Sequence, residues 1–314
     1  MAKRLIIDCD PGIDDAIALI LAMFDPRLEV TAITAAAGSV DAERTTRNTL
    51  ALVERTDPPR HPRVGAACDP DDAPVSDFAM LHGQEGMGSW HVESASRQHL
   101  IASDKLLAEE VRANSNDITL LCTGPLTNVA KMLNRDAKLA TEIQRIIMVG
   151  GSISGQGDVT AAAEFNMHFD PVAAEQVFRS PTTKILIPLE VVNQLAFGME
   201  LLDCVTAERN RIGEFLKAVV PYYYRATRQQ LGKETITLPA VLGWLMVTEP
   251  TLFTTSEESV EVETGGRLSR GALVVDRRSH INHQANMEVA TGLDVEAAKV
   301  AFYRGLKFAM QHSC

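Results

Sequence analysis

Short apolar runs alternate with longer amphipathic segments through the first two thirds of the chain, which predicts strands and helices in turn. Leu5-Ile6-Ile7 reads as a buried strand, and a helix begins near Asp14 and runs through Ala16 to Phe24. Glu29 to Thr34 reads as a second strand, and Asp41 to Arg55 as a helix with Asp41 as its N-cap. Ser103-Asp104-Lys105 caps a further helix whose apolar positions Leu106, Leu107 and Val111 share one face. A strand at Ile118 to Cys122, a helix after Pro125, a strand at Ile146 to Val149, a helix from Pro171 to Arg179 and a strand at Lys184 to Ile187 continue the series. This βαβα order implies an α/β fold with an open, mostly parallel, doubly wound sheet and helices on both faces.

The last third reads differently. Leu201 to Leu231 is largely helical in pattern and broken at Pro221, and Pro239 to Met246 reads as another helix. Val260-Glu261-Val262 and Ala272 to Val275 read as short strands. No linker, repeat or low-complexity segment interrupts the chain, so residues 1–314 are expected to form a single α/β domain with a helical C-terminal addition.

Composition narrows the function. A formal net charge of −11 argues against a nucleic-acid partner, because a phosphate backbone demands Lys and Arg patches. Cys9, Cys68, Cys122, Cys204 and Cys314 are odd in number and scattered, as expected of reduced thiols without zinc spacing. The start, Met1 to Arg4, leads into no long apolar stretch, and the longest apolar run, Ala16 to Phe24, is far below the roughly 20 residues of a membrane span. These features predict a cytoplasmic protein with no membrane partner.

The chemistry concentrates at the end of the first strand, where Asp8, Asp10, Asp14 and Asp15 fall within eight residues. They occupy a strand-to-helix loop, at the sheet edge where open α/β folds bind ligands. Carboxylates so close repel one another unless a cation or a hydrogen-bonding ligand compensates, and oxygen donors favour Ca²⁺ or Mg²⁺ over zinc. The plainer alternative is that Asp14 and Asp15 only complement a helix dipole while Asp8 and Asp10 are solvated.

Three further clusters fall on loops of the same edge. Thr123-Gly124-Pro125-Leu126-Thr127-Asn128 forms a sharp turn, and the Thr123 carbonyl is placed to point at a metal; ordinary turn chemistry would explain the motif equally well. Glu164-Phe165-Asn166 follows a long polar loop from Gly150-Gly151, and in an extended segment Glu164 and Asn166 would project to one side, suited to polyol hydroxyls. Leu81 to Gly88 is glycine-rich and carries His82, a candidate substrate contact, although a single histidine on such a loop is ordinarily a surface one. His99 and His168 carry the same caution.

Together these stretches resemble the inosine-uridine nucleoside hydrolase family. The signature is Asp8-Cys9-Asp10-Pro11-Gly12-Ile13-Asp14-Asp15. It is supported by Ala37-Gly38 before Thr45-Thr46-Arg47-Asn48, by His82-Gly83, by Thr123 to Asn128, by Glu164-Phe165-Asn166 with Asp170-Pro171, and by Val262-Glu263-Thr264 and Val274 to Arg278. The resemblance spans essentially the whole chain. It implies a calcium-dependent N-glycosidase acting on a small-molecule ribonucleoside, assembled as a homodimer or homotetramer. It implies that Asp10, Asp15 and the Thr123 carbonyl ligate Ca²⁺, and that Asp10 takes a proton from the water that attacks the anomeric carbon. Asp14, Glu164 and Asn166 would hold the ribose hydroxyls.

Four positions depart from the family pattern. Thr237-Leu238 stands where the family carries His-Asp, the pair that serves the leaving base and the metal. Ser39 replaces an asparagine, and Asp158 replaces a loop asparagine that contacts the sugar. Three readings follow: a nucleoside hydrolase of altered preference, a different N-glycosidase, or a non-catalytic binding protein for a ribosyl ligand. A fourth, an aspartate-nucleophile phosphatase, would need Thr or Val where this chain has Gly12 and leaves Glu164-Phe165-Asn166 unexplained.

Overall fold

The computed structural model describes residues 2–70, 79–91, 100–206, 210–278 and 284–313. Six parallel strands form the body of an eight-stranded sheet: β1 (Lys3–Cys9), β2 (Leu28–Ala35), β3 (Arg63–Gly65), β4 (Ile118–Cys122), β5 (Arg145–Val149) and β6 (Lys184–Ile187). Their spatial order is β3-β2-β1-β4-β5-β6. The direction of winding therefore reverses between β1 and β4, which pair in parallel with Asp8 opposite Cys122. That reversal opens a crevice at the carboxyl ends of these two strands.

Successive strand residues face opposite sides, and both faces are covered. Leu5 and Ile7 join one apolar cluster with the helices Ile13–Phe24, Arg211–Leu231, Pro239–Thr248 and Val295–His312. Ile6, between them, joins the other, with the helices Ser103–Ala113, Thr127–Arg135 and Pro171–Arg179. The strands Ile118–Cys122 and Lys184–Ile187 and the helix Pro171–Arg179 have the boundaries the pattern predicts. Asp41 caps its helix by accepting the Arg44 N–H at 2.9 Å.

Three expectations need correction. Arg211–Leu231 is one continuous helix through Pro221. A proline inside a helix costs about 3 kcal/mol, but Phe215, Leu216, Val219, Val220 and Tyr223 are buried on that helix. Each such side chain contributes roughly 1.5–3 kcal/mol, so the packed face carries the helix past the break. Ser103 does not cap its helix: Ala102 is the N-cap, and the Ser103 hydroxyl donates to the Ala35 carbonyl at 2.7 Å. Finally, besides the short strands expected there, the last third supplies two strands of the main sheet that the pattern did not mark. Met287–Leu293 pairs in parallel with β6, and Phe253–Glu258 pairs antiparallel with Met287–Leu293 to close the sheet. The edge segment Phe-Thr-Thr-Ser-Glu-Glu has no fully buried residue, so no apolar run marks it.

Among the described residues, no helix is long and apolar enough to cross a membrane. His99 and Cys314 lie outside the described residues.

Candidate active site

The crevice between β1 and β4 leads into a cavity lined by Asp10, Asp14, Asp15, Thr123, Asp158, Glu164 and Asn166, with Ser39 and His82. The residues that the family resemblance assigns to the metal and the ribose thus line one space, together with Asp158 and His82. The two strand ends are tied directly, since the Thr123 N–H donates to the Asp8 carbonyl at 2.9 Å.

Among the described residues, the donors to Asp10 from outside its own backbone converge on one carboxylate oxygen. The Ser39 N–H and hydroxyl donate to Oδ2, at 2.6 and 2.7 Å. Two glycines make room for its carboxylate: a Cβ at Gly38 would lie 2.1 Å from Oδ2, and one at Gly124 2.6 Å from Oδ1. Burial pushes the Asp10 carboxyl up to about 7, against the hydrogen bonds from Ser39. Asp15 Oδ1 accepts the Thr123 hydroxyl at 2.5 Å, and burial, with Asp14 and Asp10 nearby, raises its pKa well above the usual carboxylate range. Asp8 turns away from the cavity. Its Oδ1 accepts from the Thr34 hydroxyl at 2.6 Å and from the Asn128 amide at 2.9 Å, while Oδ2 is buried without a partner.

The Glu164-Phe165-Asn166 stretch is not extended, as expected, but turns into a short helix, Phe165–Phe169, with Glu164 as its N-cap. Glu164 Oε2 accepts the Gly151 N–H at 2.7 Å and the Met167 N–H at 3.2 Å. Gly150 has φ +134°, and a Cβ there would lie 2.7 Å from that oxygen, so the carboxylate packs against bare backbone. Burial first, and Asp158 second, push Glu164 up to about 8. The Asn166 amide donates to the Thr123 carbonyl at 2.8 Å and to the Val149 carbonyl at 3.1 Å. The Thr123 carbonyl therefore already accepts a hydrogen bond from Asn166. Asp158 Oδ1 accepts the Phe165 N–H at 2.9 Å, and burial raises this carboxyl to about 6.

His82 is no surface histidine. It is 5% exposed and closes a four-residue helix, Ala79–His82. Its Nδ1 accepts the Ile13 N–H at 3.1 Å, its Nε2 lies 3.9 Å from Asp14 Oδ1, and its ring stacks on Tyr223 with centroids 5.3 Å apart. Burial lowers its pKa. Asn48 anchors the following loop by donating to the Glu85 carbonyl at 2.8 Å. His168 lies elsewhere, its Nδ1 paired with the Arg270 carbonyl.

The sequence reading missed the apolar wall. Leu81, Leu189, Val192, Tyr223 and Pro239 line both the inner cavity and an adjoining vestibule of about 350 Å³. The Tyr222-Tyr223-Tyr224 run was the one available signal. Thr237 lines that vestibule, and Tyr223 donates its hydroxyl to the Thr237 carbonyl at 3.4 Å. Leu238 is fully buried in the apolar cluster and does not line the cavity.

The inner cavity carries five carboxylates, Asp10, Asp14, Asp15, Asp158 and Glu164, and no Lys or Arg among its described lining residues. No three His, Cys, Asp or Glu side chains form a ready-made metal cluster among the described residues. The donors that the resemblance implies are two carboxylates, Asp10 and Asp15, with the Thr123 carbonyl. Their oxygens could hold a hard divalent cation, whose charge would offset the burial of both acids.

Comparison with known proteins is consistent along the whole chain. Residues 5–300 match the family model described as inosine-uridine preferring nucleoside hydrolase. The non-specific ribonucleoside hydrolase RihC of Salmonella agona is 37% identical over 294 residues, covering 93% of this chain and 94% of that protein. Among solved structures, the purine-preferring ribonucleoside hydrolase from Gardnerella vaginalis superposes with a TM-score of 0.89 at 27% identity, over 98% of this chain and 100% of that one. An inosine-guanosine nucleoside hydrolase superposes with a TM-score of 0.87 at 25% identity over 100% of both chains.

Proposed function

Because the chain belongs to the inosine-uridine preferring nucleoside hydrolase family, we propose that it hydrolyses the N-glycosidic bond of a ribonucleoside to free base and ribose at the cavity between β1 and β4. The observation that carries this reading is the half-bound Asp10. Ser39 occupies Oδ2, so Oδ1 is left to take a proton from an attacking water. A raised pKa suits it to the task, since a base works best when its conjugate acid titrates near the operating pH.

Asp10, Asp15 and the Thr123 carbonyl would hold Ca²⁺, which when bound makes a neighbouring water more acidic. With Leu238 in the core, this donor set offers fewer oxygens than the six to eight that calcium prefers, so binding should be weak. In this reading Asp14, Glu164 and Asn166 would hold ribose hydroxyls, and Asp158 and His82 would contact the substrate. Surrounding carboxylates favour the positive charge that develops as a glycosidic bond breaks.

The test is a panel of purine, pyrimidine and modified ribonucleosides assayed for free ribose with Ca²⁺ present. Turnover that Asp10→Asn abolishes is expected. If no ribosyl compound is cleaved while one binds and raises the melting temperature, the protein is a ribosyl-binding protein instead. Calorimetric titration should detect weak Ca²⁺ binding that Asp10→Ala removes; no affinity for Ca²⁺ or Mg²⁺ would end the metal assignment.

A further inference from the structure

One polar wall of the site hangs on a long, irregular loop. Residues 150–164 join β5 to the helix Phe165–Phe169 without strand or helix of their own, and segments of that length in a compact domain are usually either disordered or functional. The far half of this loop is a tight knob. The Gly157 N–H donates to the Ala161 carbonyl and the Asp158 N–H to the Ala163 carbonyl, both at 3.2 Å. A Cβ at Gly157 would lie 2.2 Å from the Ala163 carbonyl oxygen, so the turn closes on bare backbone. Its downstream end is fixed where Asp158 accepts the Phe165 N–H. Where the knob sits is then set by what holds the upstream strap, residues 152–156.

That strap is gripped by Glu190. Its Oε1 accepts the Ser152 hydroxyl at 2.8 Å and the Ser154 N–H at 2.7 Å, and the Ser152 oxygen in turn accepts the Gln156 N–H at 3.0 Å. Burial opposes the charge, but the hydrogen bonds from Ser154 and Ser152 hold the Glu190 carboxyl below its usual range, so the grip is charge-assisted at neutral pH. Glu190 belongs to the helix Leu189–Val192, and Leu189 and Val192 line both the inner cavity and the vestibule. Across the opening, Gln156, Gly157 and Asp158 line the vestibule from the loop side. We propose that Glu190, which itself lines neither compartment, is a positioning residue that fixes the polar wall of the opening against the apolar one.

The consequence for turnover rests on the ribohydrolase reading above. Without the grip, the strap samples other placements and only a fraction of molecules presents Asp158 correctly. Apparent affinity falls in proportion to that fraction. Substrate that does bind still meets the same Asp10 and Ser39, so the loss appears in KM and not in kcat. A hydrogen bond to a charged group is worth about 10- to 100-fold in an equilibrium, and Glu190 accepts two.

The test measures kcat and KM for inosine and uridine with Ca²⁺ present, in the full-length wild type and in Glu190→Ala, Glu190→Gln and the pair Glu190→Ala with Ser152→Ala. Glu190→Ala is expected to raise KM by at least ~10-fold, with kcat within ~3-fold of wild type. Glu190→Gln keeps an oxygen acceptor for both donors and should recover most of the loss. Adding Ser152→Ala to Glu190→Ala should cost little more, because both cut one chain of hydrogen bonds. An unchanged KM in Glu190→Ala, or a kcat that falls as much as KM rises, would overturn the inference and leave the hydrolase reading intact. Amide hydrogen exchange over residues 152–158 in the metal-free protein decides the same point without turnover. Glu190→Ala should speed exchange there by ~10-fold or more while β4 and β5 keep their protection. Equal exchange in the two proteins would overturn the positioning role, whereas failure of the wild type to cleave any ribosyl compound would overturn the hydrolase reading alone.

Discussion

Two hydrogen bonds from Ser39 converge on one oxygen of Asp10, and the turn that brings them there has no space for a side chain at Gly38. Gly38→Ala should therefore displace the carboxylate while leaving the core untouched. We expect kcat to fall by about 10²-fold, the usual cost of a displacement near 1 Å at a reacting group, with a melting temperature close to wild type. Unchanged kcat would show that the Ser39 clamp is not needed. Glu164 makes a prediction about pH. Its carboxyl is raised from 4.5 to about 8, so the folded state holds a proton that the unfolded state gives up. The stability this contributes is fully present below about 4.5 and is lost as pH rises through about 8. Glu164→Gln cannot ionise, so its melting temperature should fall less between pH 5 and pH 9 than that of the wild-type metal-free protein. Parallel curves would refute the assignment.

At the scale of elements, the helix Pro239–Thr248 decides what the vestibule wall is made of. Trp244 pins it, fully buried beside Gly305, with its indole N–H donating to Asp25 at 3.2 Å. Trp244→Ala should cost about 3–5 kcal/mol of stability, read from the denaturation midpoint, because it leaves both a cavity and a buried carboxylate with one donor fewer. A loss below ~1 kcal/mol would mean the helix is held by other contacts. The long helix Arg211–Leu231 has the complementary task of delivering Tyr223 to the wall and to His82. Its continuity through Pro221 matters for that, since a break there would leave Tyr223 on an unsupported segment.

At the scale of the molecule, the reversal of winding between β1 and β4 collects acids from segments more than a hundred residues apart in sequence. Asp15 and Thr123 are joined by a hydrogen bond of 2.5 Å. The crevice is buried enough to raise carboxylate pKa values yet opens to the vestibule. A homodimer or homotetramer is the assembly the family implies, and light scattering should give a mass two or four times that of the chain. A mass equal to the chain would rule it out.

The order of strands and helices and the crowding of acids at the first strand end were legible in the chain itself, because hydrophobic periodicity and strand-to-helix turns are local properties. Asp10, Asp15, Thr123, Glu164 and Asn166 could be named for the same reason: each sits beside the end of a recognisable element or motif. What only the tertiary structure decided depends on contacts between distant segments. Asp8 belongs to the same cluster in sequence but is turned toward Thr34 and Asn128. His82 is buried because Ile13 and Tyr223 enclose it, and nothing in its glycine-rich neighbourhood announces them. The edge strand Phe253–Glu258 is polar because a sheet edge need not be buried, so its pairing, not its pattern, makes it a strand. Leu238 stands out in sequence as a departure from the family pattern, but its place in the core and Thr237's place on the vestibule wall are set by how the helix Pro239–Thr248 packs.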